Sequence, residues 1–233
     1  TFVFNENQET GQLLVSGMGE LHLEIILDRL YREYNVEVQT GKPQVVYKET
    51  ISSSGSAQVV FDREIHEVRH YGAVSLSVEP GTRGLGFVFK VSDELRSMAP
   101  DLVNYAETGA REATLAGTLA GNEVVDIIVT LDSLSPDYTL MSGLGVKVAA
   151  SQACSEACQK ASPSLLEPLM KVEVVVPDEF VGEVIADLNM RRGRLEEIVP
   201  RGKTSVVEAI SPLASMFGYS TSLRSLTQKH GIF

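Results

Sequence analysis

Tryptophan is absent from the 233 residues, cysteine occurs only twice, and aromatic residues make up 6% of the chain. Basic residues are also few, since 20 lysines and arginines against 31 acidic residues give a formal net charge of −11. No apolar run approaches the roughly 18 residues that a membrane-spanning helix requires. With 43% hydrophobic and 22% charged residues, the composition is typical of a globular protein of about two domains, or parts of three. We therefore expect no membrane contact and a cytoplasmic location.

The acidic balance also disfavours nonspecific nucleic-acid binding, because such binding depends on neutralisation of phosphates by lysine and arginine. Any contact with RNA must therefore be local. The basic side chains of the last third concentrate at five positions: Arg191, Arg192, Arg194, Arg201 and Lys203.

Two sequence features that are similar to cofactor-binding motifs are better explained by structural roles. Cys154 and Cys158 lie four residues apart in a helical pattern, and no second Cys or His cluster completes a zinc site, so we predict buried thiols in a reducing compartment. Gly202-Lys203-Thr204 is similar to the end of a phosphate-binding loop, but the earlier glycine is absent and the segment lies between two predicted strands. No metal, cofactor or catalytic residue is predicted on this chain.

Both ends of the chain predict incomplete β-α-β-β-α-β units of the ferredoxin-like type. For the N-terminal part we predict, in order, strands at 2–4 and 12–16, a helix that begins at Gly17, and a strand at 36–38. For the C-terminal part we predict, in order, a strand at 170–176, a helix after Pro177, strands at 194–199 and 204–210, and a helix at 212–226 that Gly218 weakens. The chain is thus expected to start and stop inside domains. Because the last unit lacks its fourth strand, we expect another segment to cover the exposed sheet edge.

The middle of the chain predicts a sheet with two helices, an α/β domain. The predicted strands are 57–65, 73–79, 86–91 and 122–131, and the predicted helices are 100–119 and 143–161. The polar stretch between the first two strands is predicted to be a loop.

Two groups of polar residues are candidate binding sites. His66, Arg69, His70 and Tyr71 combine cations, hydrogen-bonding rings and an aromatic side chain, which suits single-stranded or looped RNA; a solvated loop is the alternative. Arg191, Arg192 and Arg194 end a predicted helix, where they either clamp a phosphate backbone or complement the helix dipole.

Several stretches of the chain are similar to one family. Residues 16–25 read Ser-Gly-Met-Gly-Glu-Leu-His-Leu-Glu-Ile, and 41–50 read Gly-Lys-Pro-Gln-Val-Val-Tyr-Lys-Glu-Thr. Further matching stretches lie at 166–170, 187–193, 212–219 and 223–225. In this order they resemble the third, fourth and fifth domains of translational GTPases of the elongation factor G type.

The resemblance implies an α+β fold in which two incomplete ferredoxin-like domains, 1–42 and 166–233, flank a domain of the ribosomal-protein-S5 type at 43–165. It implies a monomer that binds rRNA, ribosomal proteins and the A-site tRNA and mRNA through the tip of the middle domain. GTP and Mg²⁺ would be held by a GTPase domain upstream, so this region would not itself be an enzyme. The tip residues are His66, Arg69, His70, Tyr71, Asp137, Tyr138 and Ser142. The family motif of the first domain contains Gly17, Gly19, Glu20 and His22.

The chain departs from the family pattern at the tip. A Gly-Gly-Arg-Gly-Gln loop is usual before Tyr-Gly, whereas residues 66–70 read His-Glu-Val-Arg-His; a His-Glu-Val-Asp-Ser-Ser-Glu run is replaced by Asp-Tyr-Thr-Leu-Met-Ser-Gly at 137–143. A diverged paralogue is therefore expected. The leading hypothesis is translocation of tRNA and mRNA; the alternatives are ribosome recycling, ribosome protection, or a protein-interaction module without an RNA role, which the net charge favours.

Overall fold

The chain, seen in a computed structural model that describes residues 2–7, 10–135 and 137–233, forms two compact units. One unit is residues 47–166, and the other combines the segments on either side of it. Both contain helices and sheets, in agreement with the predicted α+β class. Within the described residues, no helix combines the length and the apolarity needed to cross a membrane.

The first segment contains two antiparallel strands and one helix. Strands β1 (Val3–Glu6) and β2 (Leu13–Ser16) pair with each other, and helix α1 covers Glu20–Tyr34. Asn35 ends α1 in the left-handed conformation; its N–H donates to the Tyr31 carbonyl at 3.0 Å, and the Val36 N–H donates to the Leu30 carbonyl at 3.2 Å. The predicted strand at 36–38 is wrong, because this segment has alternating residues but no paired strand beside it.

The middle unit is a four-stranded sheet that carries helices. Its elements are β3 (Lys48–Ile51), β4 (Gly55–Ile65), β5 (Val68–Pro80), β6 (Phe87–Val91), α2 (Asp93–Met98), α3 (Pro100–Ala116), β7 (Ile127–Leu134), α4 (Gly143–Lys160) and β8 (Pro163–Leu166). The sheet order is β4-β5-β7-β6, with β6 and β7 parallel, while β3 pairs with β8. Alternate residues of β5 and β7 are buried together with the alanine-rich faces of α3 and α4, and these form the core.

Helix α4 confirms that the two cysteines are buried, whereas the reducing compartment stays a prediction. Cys154 and Cys158 are free thiols, buried in the core on one face of α4. The hydrogen bond to Cys158, together with burial, raises the pKa of Cys154 well above its usual value. Neither thiol faces solvent.

A buried carboxylate joins β3 to the loop that follows α3. Glu49 is fully buried, and its two oxygens accept hydrogen bonds from the backbone N–H groups of Thr118, Leu119, Ala120 and Asn122 at 2.7–3.0 Å. Burial raises the pKa of Glu49, but the four N–H groups outweigh it and lower the pKa to about 2. The carboxylate therefore stays ionised and fixes the loop.

The last segment forms a three-stranded sheet covered by helices. Its elements are β9 (Leu169–Pro177), a 3₁₀ turn (Asp178–Phe180), α5 (Val181–Met190), β10 (Arg194–Arg201), β11 (Thr204–Pro212), α6 (Leu213–Met216) and α7 (Tyr219–Leu226), with strand order β10-β11-β9. Gly218, at φ 77°, breaks the predicted helix into α6 and α7. The expected cover of the sheet edge is present, because Ile232 exchanges both backbone hydrogen bonds with Val175 of β9, at 2.8 and 3.1 Å. This contact is a single isolated bridge, and the sheet has three strands among the described residues, so the absence of the last strand stays a prediction.

Candidate functional site

The predicted loop around His66 is a tight hairpin turn. Strands β4 and β5 pair without interruption up to Ile65 and Val68, so only His66 and Glu67 connect them. The predicted loop over 66–71 is wrong, since residues 68–71 continue β5. Both turn residues have left-handed φ angles, 51° for His66 and 63° for Glu67, as a type I′ turn requires. Glycine or asparagine normally occupies these positions, because other residues pay a steric cost there.

Arg69 is engaged within the hairpin. Its Nε and Nη2 donate to the two carboxylate oxygens of Asp62 at 2.8 and 2.6 Å, and its guanidinium carbon lies 5.7 Å from the centre of the Tyr71 ring. The hydrogen bonds from Arg69 hold the pKa of Asp62 below its usual value. This bidentate pair is exposed to solvent, so it orders the hairpin without stabilising it strongly.

The two predicted tip segments meet at Ser142. The Ser142 N–H donates to the Tyr71 carbonyl at 2.9 Å, and His70 Nδ1 lies 3.3 Å from Ser142 Oγ. The same hydroxyl accepts the Gly145 N–H at 3.0 Å and caps helix α4. The structure thus places His70, Tyr71 and Ser142 side by side at the N-terminus of α4.

Two glycines allow this close approach. A Cβ atom at Gly72 would collide with the backbone of Gly145, and one at Gly145 would collide with the backbone of Tyr71. The strand and the helix touch backbone to backbone here, which holds the base of the hairpin on α4. Sequence reasoning missed both residues, although Gly72 directly follows a tip residue and Gly145 lies in the first turn of a predicted helix.

The rest of the second segment presents a mixed surface. Asp137 is exposed, and its carboxylate accepts the hydroxyl of Thr139 at 2.7 Å. Tyr138 is half-buried against the core of the middle unit, whereas Leu140 is exposed. His66 lies in the exposed turn at the far end of the hairpin. Among the described residues of the two segments, direct hydrogen bonds between them run only to Ser142.

Arg63 is a tip residue that the sequence analysis missed. It faces His70 across the hairpin in register, and its guanidinium carbon lies 5.9 Å from the centre of the Phe61 ring. In the part of the chain that the structure describes, no carboxylate lies within ion-pair distance of Arg63. The alternation of β4 could have indicated its side of the sheet, but only the turn shows that it faces His70.

The three arginines at the end of α5 have different environments. Arg191 is only 20% exposed and donates to Asp187 Oδ2, the Ser215 carbonyl and Ser222 Oγ, each at 2.8 Å. It also lies over the Tyr219 ring at 5.1 Å. Its guanidinium thus connects α5, α6 and α7, and a phosphate contact by Arg191 would have to compete with these bonds; that contact stays a prediction.

Arg192 and Arg194 remain accessible. Arg192 ends α5 in the left-handed conformation and forms a bidentate ion pair with Glu167 at 3.0 and 3.1 Å. Arg194 is 77% exposed and contacts Glu196 at 3.1 Å. An RNA contact by these two residues stays a prediction.

The glycine motif before α1 has a local explanation. His22 Nδ1 accepts the Met18 N–H at 3.2 Å, and a Cβ at Gly17 would approach His22 and Leu23 within 2.9 Å. Gly19 is the N-cap position, and the side chain of Glu20 lies outside the described residues. The motif starts the helix, and its predicted interdomain role stays untested.

In the described part of the chain, no group of three or more His, Cys, Asp or Glu side chains is arranged to hold a metal ion.

Three family models match successive parts of the chain. Elongation Factor G, domain III, matches residues 1–42, elongation factor G, domain IV, matches 43–162, and elongation factor G C-terminus matches 164–233. A crystal structure of a protein from Thermus thermophilus is 34% identical, with a TM-score of 0.84 over 99% of this chain and 34% of that chain. The chain therefore spans about a third of that protein. These matches define the C-terminal region of a translation elongation factor. The chain belongs to the elongation factor G family, in the part that does not include its GTPase domain.

Proposed function

We propose that this chain is the ribosome-binding C-terminal region of an elongation-factor-G-like GTPase that promotes GTP-dependent translocation of tRNA and mRNA. GTP and Mg²⁺ are held in this proposal by a domain upstream, and the protein acts as a cytoplasmic monomer. Its partners are rRNA, ribosomal proteins and the A-site tRNA and mRNA. Membership of the family supports the coarse assignment, and the hairpin turn supports the role of the tip.

The turn residues carry the argument. His66 and Glu67 occupy left-handed positions where Asn-Gly would fold without strain. Each such residue costs on the order of 1 kcal/mol. Residues held in unfavourable backbone conformations cluster where a side chain is needed for function. We infer that the imidazole and the carboxylate are kept at this turn because they contact a partner.

The anchoring of the hairpin suits a mechanical role. The backbone contact of Gly72 with Gly145, and the bond from Ser142 to Tyr71, hold its base on the first turn of α4. Paired strands extend from this base to His66. A tip built on regular elements is positioned more accurately than a loop. In the proposed mechanism, the hairpin enters the A site and prevents the tRNA and mRNA from moving back.

The tip chemistry suits RNA without strong electrostatic attraction. Tyr71 and Tyr138 offer aromatic surface, and His66 and His70 offer hydrogen-bonding rings. Such groups recognise unpaired nucleotides by stacking and base-edge contacts. Arg192 and Arg194 are proposed as a separate contact with rRNA.

The test is the triple variant Arg69→Ala, His70→Ala, Tyr138→Ala in the full-length protein. We expect translocation to slow while ribosome-stimulated GTP hydrolysis stays at the parent rate, because the proposed hydrolysis site is in another domain. Folding should change little for the exposed Arg69, and circular dichroism melting checks the variant as a whole. A matched control is Arg83→Ala, an exposed arginine in the turn between β5 and β6. Unimpaired translocation together with unimpaired subunit splitting in the triple variant would refute the role of the tip.

Ribosome recycling is the second candidate, and the altered tip favours it. The glycine-rich loop usual in the family is replaced here by a closed hairpin with two charged or ionisable turn residues. A subunit-splitting assay with the same variants separates the two: loss of splitting with intact translocation supports recycling. A parent protein that does not bind ribosomes at all would exclude translocation, recycling and ribosome protection together, and would leave the protein-interaction module.

A further inference from the structure

The hairpin carries two arginines on opposite faces. In register, Arg63 pairs with His70 and Arg69 pairs with Glu64. Adjacent pairs of an antiparallel ladder point to opposite faces of the sheet. The contacts agree with this, since Arg63 lies over Phe61, two residues away on its own face, whereas Arg69 reaches Asp62 and Tyr71 on the other.

The charge of Arg69 is neutralised within the hairpin. Both oxygens of Asp62 are bonded to its guanidinium, at 2.6 and 2.8 Å. A bidentate pair of this kind is geometrically specific, and a phosphate that bound Arg69 would have to displace the carboxylate. Arg69 therefore orders the strand pair and supports the Tyr71 ring.

Arg63 is placed differently. It is exposed, and no acidic side chain of the described residues pairs with it. Its contact with the Phe61 ring restricts the side chain, and the residue as a whole stays exposed to solvent. Its cross-strand neighbour His70 reaches Ser142 at the N-terminus of α4, so Arg63 lies on the face that meets the second tip segment.

We propose that Arg63 is the residue through which the tip binds a phosphate of the RNA backbone, and that Arg69 is a positioning residue. This assignment rests on the proposed function of the tip as an RNA contact. It names the ligand group, a phosphodiester, and separates two arginines that the sequence does not distinguish.

The test measures the salt dependence of ribosome binding by the full-length protein and by Arg63→Ala, Arg69→Ala and the control Arg83→Ala. Each phosphate contact contributes about 0.7–0.9 to the slope of log K against log salt. For Arg63→Ala we expect the slope to fall by about that amount, so that its affinity drops about threefold less than the parent's between 50 and 200 mM salt. Arg69→Ala and Arg83→Ala should keep the parent slope, and Arg63→Lys should restore it.

The outcomes separate the two proposals. An unchanged slope for Arg63→Ala, or a reduced slope for Arg69→Ala alone, overturns the assignment of Arg63 and leaves the ribosomal function standing. A parent protein that does not bind ribosomes overturns both. Melting of each variant by circular dichroism shows whether a change in slope comes from folding. If Arg63→Ala folds poorly, Arg63→Gln retains the test, because it removes the charge while keeping a long polar side chain, and it should lower the slope by the same amount.

Discussion

Replacing Glu49 by Gln should destabilise the middle unit strongly. The carboxylate accepts four backbone N–H groups that lie 69 to 73 residues away in the sequence. Gln offers one oxygen to the same donors and turns an NH₂ group toward the others, so buried N–H groups lose their acceptor. The lowering of the pKa from 4.5 to about 2 corresponds to roughly 3 kcal/mol of stability at neutral pH.

The stabilisation by the Glu49 carboxylate should decrease as the pH falls. The folded-state pKa lies below the unfolded one, so the stabilisation is fully present above about pH 5 and is lost as pH falls through 4.5 toward 2. The parent and Glu49→Gln should thus differ by about 3 kcal/mol at pH 7 and by much less near pH 2. Because the chain has two units, the readout should be local: hydrogen exchange of the amides of Thr118, Leu119, Ala120 and Asn122.

Glu123→Gln is the matched control. Glu123 pairs with Lys48 at 2.7 Å, but both side chains are more than a third exposed, so the loss should stay below about 1 kcal/mol. Glu49→Ala adds a second test, since acetate at high concentration should restore part of the amide protection by occupying the same donors. Equal protection in the parent and Glu49→Gln at pH 7 would show that the carboxylate does not hold the loop.

Three further predictions concern the turn and the last segment. The double variant His66→Asn, Glu67→Gly should raise the stability of the hairpin by about 1–2 kcal/mol, because both left-handed positions become unstrained. The same variant should slow translocation, and equal or faster translocation would contradict the functional role of the turn. Arg191→Ala should lower the free energy of unfolding in urea by about 2–4 kcal/mol, because the largely buried Asp187 carboxylate loses the charged donor at 2.8 Å. Arg194→Ala should lower it by less than about 0.5 kcal/mol, and similar losses for the two variants would refute the distinction. Tyr219→Phe should be neutral or stabilising by about 1 kcal/mol in thermal melts, since the buried hydroxyl has no hydrogen-bond partner among the described residues, and the titration of Tyr219, whose pKa burial raises to about 12, should disappear from the spectrum.

The order of domains and most elements follow from local sequence signals. Helix α4 begins at Gly143, one residue after the N-cap Ser142, as its pattern predicts, and the helix after β11 breaks at Gly218. These signals act within a few residues, since capping and left-handed glycines depend on the local backbone. The family motifs identify the same region because they span the whole chain.

The sequence does not predict the hairpin, because its turn lacks the residues that are typical of a hairpin turn. His66-Glu67 offers neither glycine nor asparagine, so the polar stretch was predicted to be a loop. Only pairing along the full length of β4 and β5, anchored where Gly72 meets Gly145, forces the chain into the turn. The same dependence on distant partners explains why 36–38 is not a strand: alternation needs a neighbouring strand to pair with.

Family membership, the class of fold and the start of α4 follow from the sequence alone, because each depends on local patterns or on motifs in order. The roles of individual polar residues depend instead on how distant segments pack. Arg191 and Arg194 are three positions apart, yet one is held by Asp187, Ser215 and Ser222 while the other is exposed. Glu49 is one acidic residue among 31 until the chain brings four N–H groups to it. Charge pairing and burial are set by contacts between residues far apart in the chain, and packing alone creates them.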